Sequence, residues 1–273
     1  MENKQKIIVA ILARNCADNL EKNIKELEKL QDYFYLDYYV IENDSTDNTK
    51  EILKNWSNDN EHVKLISFNN LDFPIENQIN GNRIQRMVAY RNLYMDGISK
   101  MTEVEYNYLV MLDIDVDSFS SVEIYDSIKN KPEDAVAVFS NGKYYYKLFN
   151  KCITTNYYDL YALRIKGNSN NINNLYYINK HFKRERFITC DSAFAGIGIY
   201  DFLKIKNIRY VYQEVDNQAI CEHIFFNSEA KKKGNLYIDS ELTVLYEPIS
   251  FLQFIKFIIF PLSLKKIFLG VKI

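Results

Sequence analysis

Three aspartates at the end of an apolar run have the residue type and spacing for metal chemistry. The run covers residues 109–112 and leads directly into Asp113, Asp115 and Asp117, which alternate with apolar residues. Alternate residues of an extended chain point the same way, so Asp113 and Asp115 would repel each other unless a cation or another partner compensates. Oxygen ligands suit Mg²⁺, Mn²⁺ or Ca²⁺ rather than Zn²⁺. The pattern predicts a divalent-metal site, with a solvated acidic loop as the alternative.

Two other chemistries use such an acidic run. A calcium-binding EF-hand loop needs Gly at its sixth position and Glu at its twelfth, but counting from Asp113 these are Ser118 and Ile124, which excludes it. A phosphatase of the haloacid-dehalogenase type would use Asp113 as nucleophile and Asp115 as a second acid. A resemblance to that family asks for Thr or Val at position 117, where this chain has Asp. The phosphatase stays an alternative, as does a non-catalytic module that binds metal or carbohydrate.

The first half of the chain alternates apolar strand patterns with helical ones. Strands are predicted at residues 7–12, 38–41 and 63–68, and helices after the first two. This order is typical of a parallel sheet covered by helices on both faces, with functional loops at the carboxyl ends of the strands. Arg14, Glu42, Asp44 and Asp113 each end or follow a predicted strand, which places them at that edge.

A polar helix predicted over residues 82–97 carries several arginines. Arg83, Arg86 and Tyr90 share one face, and Arg91 lies near it. Arginines can assist a metal ion in stabilising the negative charge of a leaving diphosphate. The alternative for these arginines is a solvated helix face.

Two segments of the second half place an acid beside an apolar run. Asp191 comes just before residues 193–200, and Glu222 immediately precedes His223. A carboxylate in such a place can deprotonate a hydroxyl group, although Asp191 could equally cap a turn. His223 beside an acid suits a metal ligand, and a buried structural histidine is equally open.

Other cofactor classes find little support in the sequence. The four scattered cysteines form no CxxC pair, which fits a reducing, cytosolic compartment. Cys190 and Cys221 are interpreted as small buried side chains. Gly196 and Gly198 do not form a GxGxxG motif, which argues against a dinucleotide dehydrogenase.

The composition is that of a globular protein. Its 273 residues suit one large or two small domains, and 34 Lys and Arg against 36 Asp and Glu give no overall attraction to nucleic acid. No uninterrupted apolar window reaches the about 18 residues expected of a membrane span. Residues 249–273 form a basic amphipathic segment, for which we expect contact with the headgroups of an anionic membrane. A helix packed on the domain is the alternative.

The chain order of these motifs resembles that of GT-A glycosyltransferases with a DxD motif. The motifs are the acidic loop at residues 42–49, Arg91 with Asn92, Asp113 with Asp115, Ala195 with Gly196, and His223. Over roughly residues 7–227 the chain is similar to the capsule-associated mannosyltransferases typified by the cryptococcal alpha-1,3-mannosyltransferase.

This resemblance implies an α/β fold of the GT-A type, a Rossmann-like and mostly parallel sheet with helices on both faces. Residues 1–248 would form the catalytic domain, with a nucleotide-binding half at about 1–118 and an acceptor half at about 119–248. Residues 249–273 would follow as an amphipathic helical tail.

The resemblance also implies how a nucleotide sugar is held. Glu42 and Asp44 would contact its base or ribose, and Asp113 would approach the ribose. Asp115 would bind a divalent metal, Mn²⁺ or Mg²⁺, that bridges the diphosphate. Asp113 is the second candidate ligand of this metal, and His223 corresponds to a late ligand.

Four arginines are the candidates to face the nucleotide or its diphosphate. They are Arg14, Arg83, Arg86 and Arg91, of which Arg91 matches the family position. A transferase that inverts the sugar linkage also needs a carboxylate base, for which Asp191 is the first choice and Glu222 the second. A retaining enzyme does not need this base, and the mannosyltransferase resemblance leans toward retention.

The implied reaction is transfer of a sugar from a donor that resembles GDP-mannose or is a UDP-sugar. The acceptor would be a glycan or a lipid-linked saccharide in capsule or lipopolysaccharide synthesis. If the tail binds anionic lipid, the enzyme would work in the cytoplasm, peripherally on the inner membrane. No nucleic-acid partner is expected.

Overall fold

The computed structural model describes residues 4–68, 81–101, 104–149, 151–166 and 171–259. The strands are β1 Lys6–Ala13, β2 Tyr35–Asn43, β3 Val63–Phe68, β4 Tyr108–Asp113, β5 Ala135–Leu148, β6 Lys151–Tyr157, β7 Phe187–Cys190, β8 Ile197–Asp201, β9 Glu214–Val215, β10 Gln218–Ala219 and β11 Asn235–Pro248. The helices are α1 Ala17–Glu28, α2 Thr49–Asp59, α3 Gly81–Ser99, α4 Ser121–Asn130, α5 Asn171–His181, α6 Phe202–Ile205, α7 Glu222–Lys231 and α8 Phe251–Ile259.

One nine-stranded sheet runs through both halves of the chain. Its order is β3-β2-β1-β4-β8-β5-β11-β7, and β6 pairs with β5 outside this path. The four strands of the first half are parallel, as predicted. Strand β8 is antiparallel to both β4 and β5, so the second half continues the sheet in mixed orientation. Since parallel strands end at one edge, the ends of β1, β2 and β4 lie together there.

Apolar side chains on both faces of the sheet explain why its central strands are buried. In β1, Ile7, Val9 and Ile11 belong to the core under α1, α2 and α4, whereas Ile8 and Ala10 belong to the core under α3 and α7. Continuous apolar runs of this kind are typical of strands covered by helices on both sides. The structure therefore confirms the predicted layers.

The helices of the first half follow the apolar spacing of the sequence. In α1, Leu20, Ile24 and Leu27 are buried at intervals of three and four residues. Helix α5 begins at Asn171, and residues 167–170 before it lie outside the described residues.

The predicted C-terminal helix begins at Phe251 and is described as far as Ile259. The rest of the predicted tail, residues 260–273, lies outside the described residues. Within the part of the chain that the structure describes, no helix is long and apolar enough to cross a membrane.

Candidate active site

The aspartates after β4 lie on one side of the chain because their apolar neighbours are buried. Ile114 and Val116 are fully buried, whereas Asp113 is half-buried and Asp115 exposed. The buried side chain of Asn23 in α1 holds this loop by donating to the carbonyls of Ile114 (2.9 Å) and Val116 (2.7 Å). Strand β4 ends at Asp113 and a turn begins at Ile114, so the burial of Ile114 and Val116, and not a continuing strand, keeps Asp113 and Asp115 out of the core.

The third aspartate of the run serves a different purpose. Asp117 Oδ1 lies 3.4 Å from the ammonium of Lys22 in α1. Its backbone N–H donates to the carbonyl of Tyr246 at 2.9 Å, which ties the loop to β11. Asp117 therefore anchors the loop from outside the pair formed by Asp113 and Asp115.

The pair of aspartates is held in an environment that resists double ionisation. Burial, opposed by Arg91 and supported by the nearby carboxylates of Asp115, Glu222 and Asp159, raises the pKa of Asp113 to about 7. Loss of surrounding water also raises the pKa of Asp115, while Arg83 and Arg91 favour its ionised form. A divalent cation would relieve this repulsion directly.

Arg91 is buried at the centre of the acidic cluster. Its side chain is 4% exposed, its Nε lies 3.1 Å from Glu222 Oε1, and its Nη2 lies 3.7 Å from Asp113 Oδ1. The guanidinium also packs between the rings of Phe194 and Tyr210, with centroids 5.1 Å and 5.7 Å away. The guanidinium thus contacts Glu222 and Asp113 from a buried position, and its predicted contact with a diphosphate stays a prediction.

Asp159, which follows β6, is part of the cluster although it lies in no motif of the sequence that predicts such a role. Its carboxylate accepts the backbone N–H groups of Ala195 (3.0 Å) and Ala162 (3.3 Å). Burial raises its pKa, and Glu222 raises it further. Asp159 and Glu222 bring acidic groups from the second half of the chain to the aspartates after β4.

Glu42 is fully buried at the end of β2, where its carboxylate holds the neighbouring loop. Oε1 accepts the backbone N–H of Ser45 at 2.8 Å, and Oε2 accepts the hydroxyl of Ser67 in β3. Both oxygens accept hydrogen bonds inside the protein, and the contact of Glu42 with a nucleotide stays a prediction. Its role here is to shape the loop that carries Asp44.

The loops after β1 and β2 are bound together by their side chains. Asn15 Oδ1 accepts the backbone N–H of Thr46 at 2.7 Å, and the backbone N–H of Asn15 donates to Ser45 Oγ at 3.1 Å. Asn15 and Asp44 both adopt a left-handed conformation, with φ of 48°. This arrangement places the predicted nucleotide residues Arg14 and Asp44 on two connected loops.

Charged side chains from three elements surround Tyr90 of α3. Burial raises the pKa of Tyr90, and the charges of Arg86, Asp44 and Arg14 also act on it. Arg86 is buried, whereas Arg14 and Asp44 are half-buried. The Nε of Arg14 is buried without a hydrogen-bond partner, which suits a donor that meets an anionic ligand. The structure thus keeps Arg14, Asp44 and Arg83 as candidates, the last through its charge acting on Asp115.

Asp191 does not join the acidic cluster. It follows β7 at the edge of the sheet and forms an ion pair with Lys231. Lys231 ends α7 and Glu222 begins it, so the two ends are about 13 Å apart along the helix. The structure thus places the first predicted base, Asp191, away from the second, Glu222, and of the two it is Glu222 that lies in the acidic cluster.

His223 is enclosed by aromatic rings beside the cluster. Its ring stacks on Phe194 at 4.0 Å, contacts Tyr210 edge-on, and lies with Nε2 3.7 Å from Glu222 Oε1. Burial, assisted by Arg91, lowers its pKa well below the usual value and keeps the ring neutral. Neither ring nitrogen has a hydrogen-bond partner. A neutral ring with a free lone pair has the chemistry of a metal ligand.

The described residues nevertheless contain no group of three or more His, Cys, Asp or Glu side chains that could hold a metal. The structure thus does not assemble the predicted set of Asp113, Asp115 and His223. Two carboxylates that repel each other fit a different arrangement, in which Mg²⁺ or Mn²⁺ is bound by one or two carboxylates and by substrate phosphates. Asp113 and Asp115 are suited to that arrangement.

An aromatic group borders the acidic cluster on the side of β5 and β11. Tyr158 and Tyr246 stack with ring centroids 4.5 Å apart, and Tyr144 packs against both. Burial raises the pKa of Tyr246, and the neighbouring carboxylates of Asp115 and Asp113 raise it further. Gly142 makes room for Tyr158, because a Cβ at this position would lie 2.3 Å from its ring.

Comparison with known proteins agrees with this geometry. Residues 8–83 match the model of Glycosyl transferase family 2. A search of curated proteins finds no significant match. The matched segment contains β1, β2 and β3 with the loops that carry Arg14 and Asp44.

Two solved structures illustrate the fold. S. aureus TarS residues 1–349, in complex with UDP-GlcNAc, superposes with a TM-score of 0.51 at 12% identity, covering 90% of this chain and 59% of that chain. The mannosyltransferase PcManGT from Pyrobaculum calidifontis, in complex with GDP-Man and Mn²⁺, superposes with a TM-score of 0.54 at 10% identity, covering 89% and 57%.

This chain thus spans less than two thirds of each of those chains. The narrower likeness to capsule-associated mannosyltransferases stays a prediction from the motifs. The chain has the GT-A fold of these two glycosyltransferases, and its residues 8–83 are similar to Glycosyl transferase family 2.

Proposed function

We propose that this protein is a metal-dependent glycosyltransferase that uses a nucleotide-sugar donor. The observation that carries the proposal is the position of Asp113 and Asp115 at the end of β4 in a GT-A fold, where both have raised pKa values and Asp115 contributes to that of Asp113. The same fold disfavours the haloacid-dehalogenase alternative. The donor is a GDP-mannose-like sugar or a UDP-sugar, and the acceptor is a glycan or a lipid-linked saccharide of a surface polysaccharide.

Different residues of the chain bind the metal, the diphosphate and the base or ribose of the donor. Asp115 and Asp113 hold Mn²⁺ or Mg²⁺, which when bound supplies Lewis-acid stabilisation of the leaving nucleoside diphosphate. Arg14 and Arg83 add positive charge near the diphosphate, and Asp44 lies beside them for the base or ribose. Burial of the cluster strengthens these electrostatic interactions relative to water.

Glu222 is the residue best placed to act on the acceptor. Arg91 fixes its carboxylate by the 3.1 Å hydrogen bond, and the pair is enclosed by Phe194 and Tyr210. In an inverting reaction Glu222 takes the proton of the acceptor hydroxyl, with Asp159 as a second carboxylate nearby. In a retaining reaction the leaving diphosphate accepts that proton, and Glu222 then orients the hydroxyl.

The proposed setting is the cytoplasmic face of the inner membrane, where a lipid-linked acceptor would be present. The support is the basic, acid-free sequence of residues 249–273, whose first described part is α8. No nucleic acid takes part, since the chain has almost balanced charge.

The test is calorimetric titration of UDP and of GDP into the protein, with and without Mn²⁺. We expect one nucleotide to bind only with the metal, and Asp115→Asn to abolish that binding. Asp117→Asn is the matched control, because Asp117 pairs with Lys22 instead of facing the cluster; its binding should equal that of the wild type.

Failure of both nucleotides to bind the folded protein would contradict the proposal. Binding without release of the nucleoside diphosphate from any UDP- or GDP-sugar, in the presence of glycan acceptors, would instead favour a non-catalytic module.

A further inference from the structure

The hairpin of β5 and β6 ends in an aromatic side chain that projects into solvent. Phe149 follows β5 and is 95% exposed, and Leu148 beside it is 42% exposed. Leu148 pairs with Lys151 across the hairpin, so Phe149 lies at its tip. A large apolar side chain in this position contributes nothing to the core of the described chain.

The backbone conformation of Phe149 is one that a bulky residue rarely adopts. Its φ is 53°, in the left-handed region that Gly or Asn adopts at low cost and a bulky side chain does not. Folding of the hairpin alone would therefore favour a small residue. We take this mismatch as a sign that Phe149 serves a contact outside the fold.

Helix α8 packs against one face of the same hairpin. Directly paired residues share a face, which groups Tyr146 with Ile153 and Leu148 with Lys151. Tyr146 stacks on Phe254 with centroids 5.5 Å apart, and Phe251 lies at the same distance from its ring. The hairpin and α8 therefore form one unit.

This unit exposes further apolar side chains beside Phe149. Phe251 is 54% exposed, Leu252 is 71% exposed and Ile153 is 37% exposed. We call the surface formed by Leu148, Phe149, Ile153, Phe251 and Leu252 the hairpin–α8 surface.

The two segments that form the hairpin–α8 surface contain lysines and no acidic residue. Residues 143–158 contain three lysines, residues 248–259 contain one, and neither range contains Asp or Glu, in a chain with 36 of these acidic residues. Lys147 and Lys151 are both exposed and stand on either side of Phe149. Glu247 and Asp159 are the acidic residues that adjoin these segments in the sequence. Apolar side chains framed by lysines match the boundary between headgroups and acyl chains of an anionic bilayer.

We propose that the hairpin–α8 surface docks on an anionic lipid bilayer, with Phe149 inserted among the headgroups and Lys147 and Lys151 on phosphates. A second copy of the chain fits this surface less well, because a two-fold dimer would place the lysines of one copy against those of the other. The assignment extends membrane contact from the tail to a hairpin within the catalytic domain.

Docking in this orientation brings the membrane to one side of the acidic cluster. Strand β5 carries Tyr144 as well as the hairpin, and Tyr144 packs on Tyr158 and Tyr246 next to the acidic cluster. A membrane at the hairpin tip thus lies on the side of the cluster bordered by these tyrosines. The lipid contact itself does not depend on the proposed transfer reaction.

The test is flotation of the full chain with vesicles of phosphatidylcholine alone or mixed with phosphatidylglycerol. We expect binding to the anionic vesicles that falls about tenfold or more in Phe149→Ser and Phe149→Gly. Phe149→Gly should also fold at least as stably as the wild type, since glycine suits the left-handed φ. Lys147→Gln with Lys151→Gln should weaken binding to anionic vesicles and reduce its dependence on salt.

The matched control is Tyr176→Ser, which removes an aromatic side chain that is 68% exposed on α5. Its vesicle binding should equal that of the wild type. All these variants should keep metal-dependent nucleotide binding. A loss of vesicle binding alone is therefore distinguishable from a failure of the proposed function. Equal vesicle binding by the wild type and Phe149→Ser, or none by either, would overturn the proposal. So would a dimer in light scattering that Phe149→Ser dissociates.

Discussion

Arg91 Nε donates a hydrogen bond of 3.1 Å to Glu222 Oε1, and both side chains are almost completely buried. Arg91 belongs to α3 in the first half of the chain, whereas Glu222 begins α7 in the second half. The pair therefore fixes the proposed acceptor carboxylate relative to the aspartates after β4. It is a buried ion pair whose loss should affect both stability and activity.

Arg91→Met should strongly destabilise the protein, because it leaves Glu222 buried without its partner. Breaking one side of a buried pair costs about 3–5 kcal/mol. Urea denaturation measures this loss, and adding Glu222→Gln to Arg91→Met should restore part of it. Arg209→Met is the control, since Arg209 forms an exposed pair with Asp96 and its loss should cost about 0–1 kcal/mol. Equal stabilities for the two single variants would contradict the role of Arg91.

Asp113→Asn should stabilise the protein without ligands at high pH while abolishing nucleotide binding. The pKa of Asp113 is raised to about 7 in the folded state, so ionising this carboxyl costs the folded state more than the unfolded one. The advantage of the Asn variant should be absent below about pH 4, grow as pH rises, and be complete above about pH 7.

We expect an advantage of about 2 kcal/mol for Asp113→Asn, discounted for the partial exposure of the side chain. Thermal unfolding from pH 4 to pH 8.5 measures it, with Asp117→Asn as the control that shows no such gain. A variant less stable than the wild type at pH 8 would show that Asp113 has a structural role instead.

The first half of the fold could be predicted because its signals are local. Apolar runs end at Asp113 and near Glu42, and parallel strands bring such ends to one edge. The same reasoning predicted Arg14 and Asp44 at this edge, where the structure joins their two loops through Asn15. It could not show that Glu42 turns inward to Ser45 and Ser67, since side-chain direction at a strand end depends on the partners the fold supplies.

The second half could be predicted less well because its contacts are distant in sequence. Asp191 stands two residues before Ala193, but β7 pairs antiparallel at the sheet edge and delivers Asp191 to Lys231. Asp159 and Asn23 were not identified, since their partners Ala195 and Ile114 are 36 and 91 positions away. Neither residue sits in a pattern that periodicity or spacing can detect.

Thiol reactivity should separate Cys152 from the other three cysteines. Burial raises the pKa of Cys16 to about 11, and it raises the pKa of Cys190 and Cys221 as well. Cys152 alone is exposed. Because the thiolate is the reactive form, native protein at pH 8 should react with a disulfide reagent at one site, and unfolded protein at four.

Cys152→Ser should remove the fast reaction entirely. Rapid reaction of a second thiol in this variant would contradict the buried assignment of Cys190 and Cys221, and with it the interpretation of these residues as packing side chains.

Asn23→Ala should weaken the attachment of the loop that carries Asp113 and Asp115, although Asn23 itself lies outside the acidic cluster. The Asn23 amide donates to the carbonyls of Ile114 and Val116, and removing it leaves two buried acceptors without a donor. Such a loss costs about 1–3 kcal/mol of stability. Because the loop then holds Asp113 and Asp115 less firmly, metal-dependent nucleotide affinity should fall by about tenfold, which corresponds to 1.4 kcal/mol.

The control for Asn23→Ala is Lys22→Ala, its neighbour on α1, which removes only the exposed pair with Asp117. Its nucleotide affinity should change by less than about twofold. Calorimetry at saturating Mn²⁺ compares the two variants, and urea denaturation confirms that both are folded. If Asn23→Ala lost stability but bound nucleotide and metal like the wild type, Asn23 would be a packing residue, and the loop would hold its aspartates in place without it.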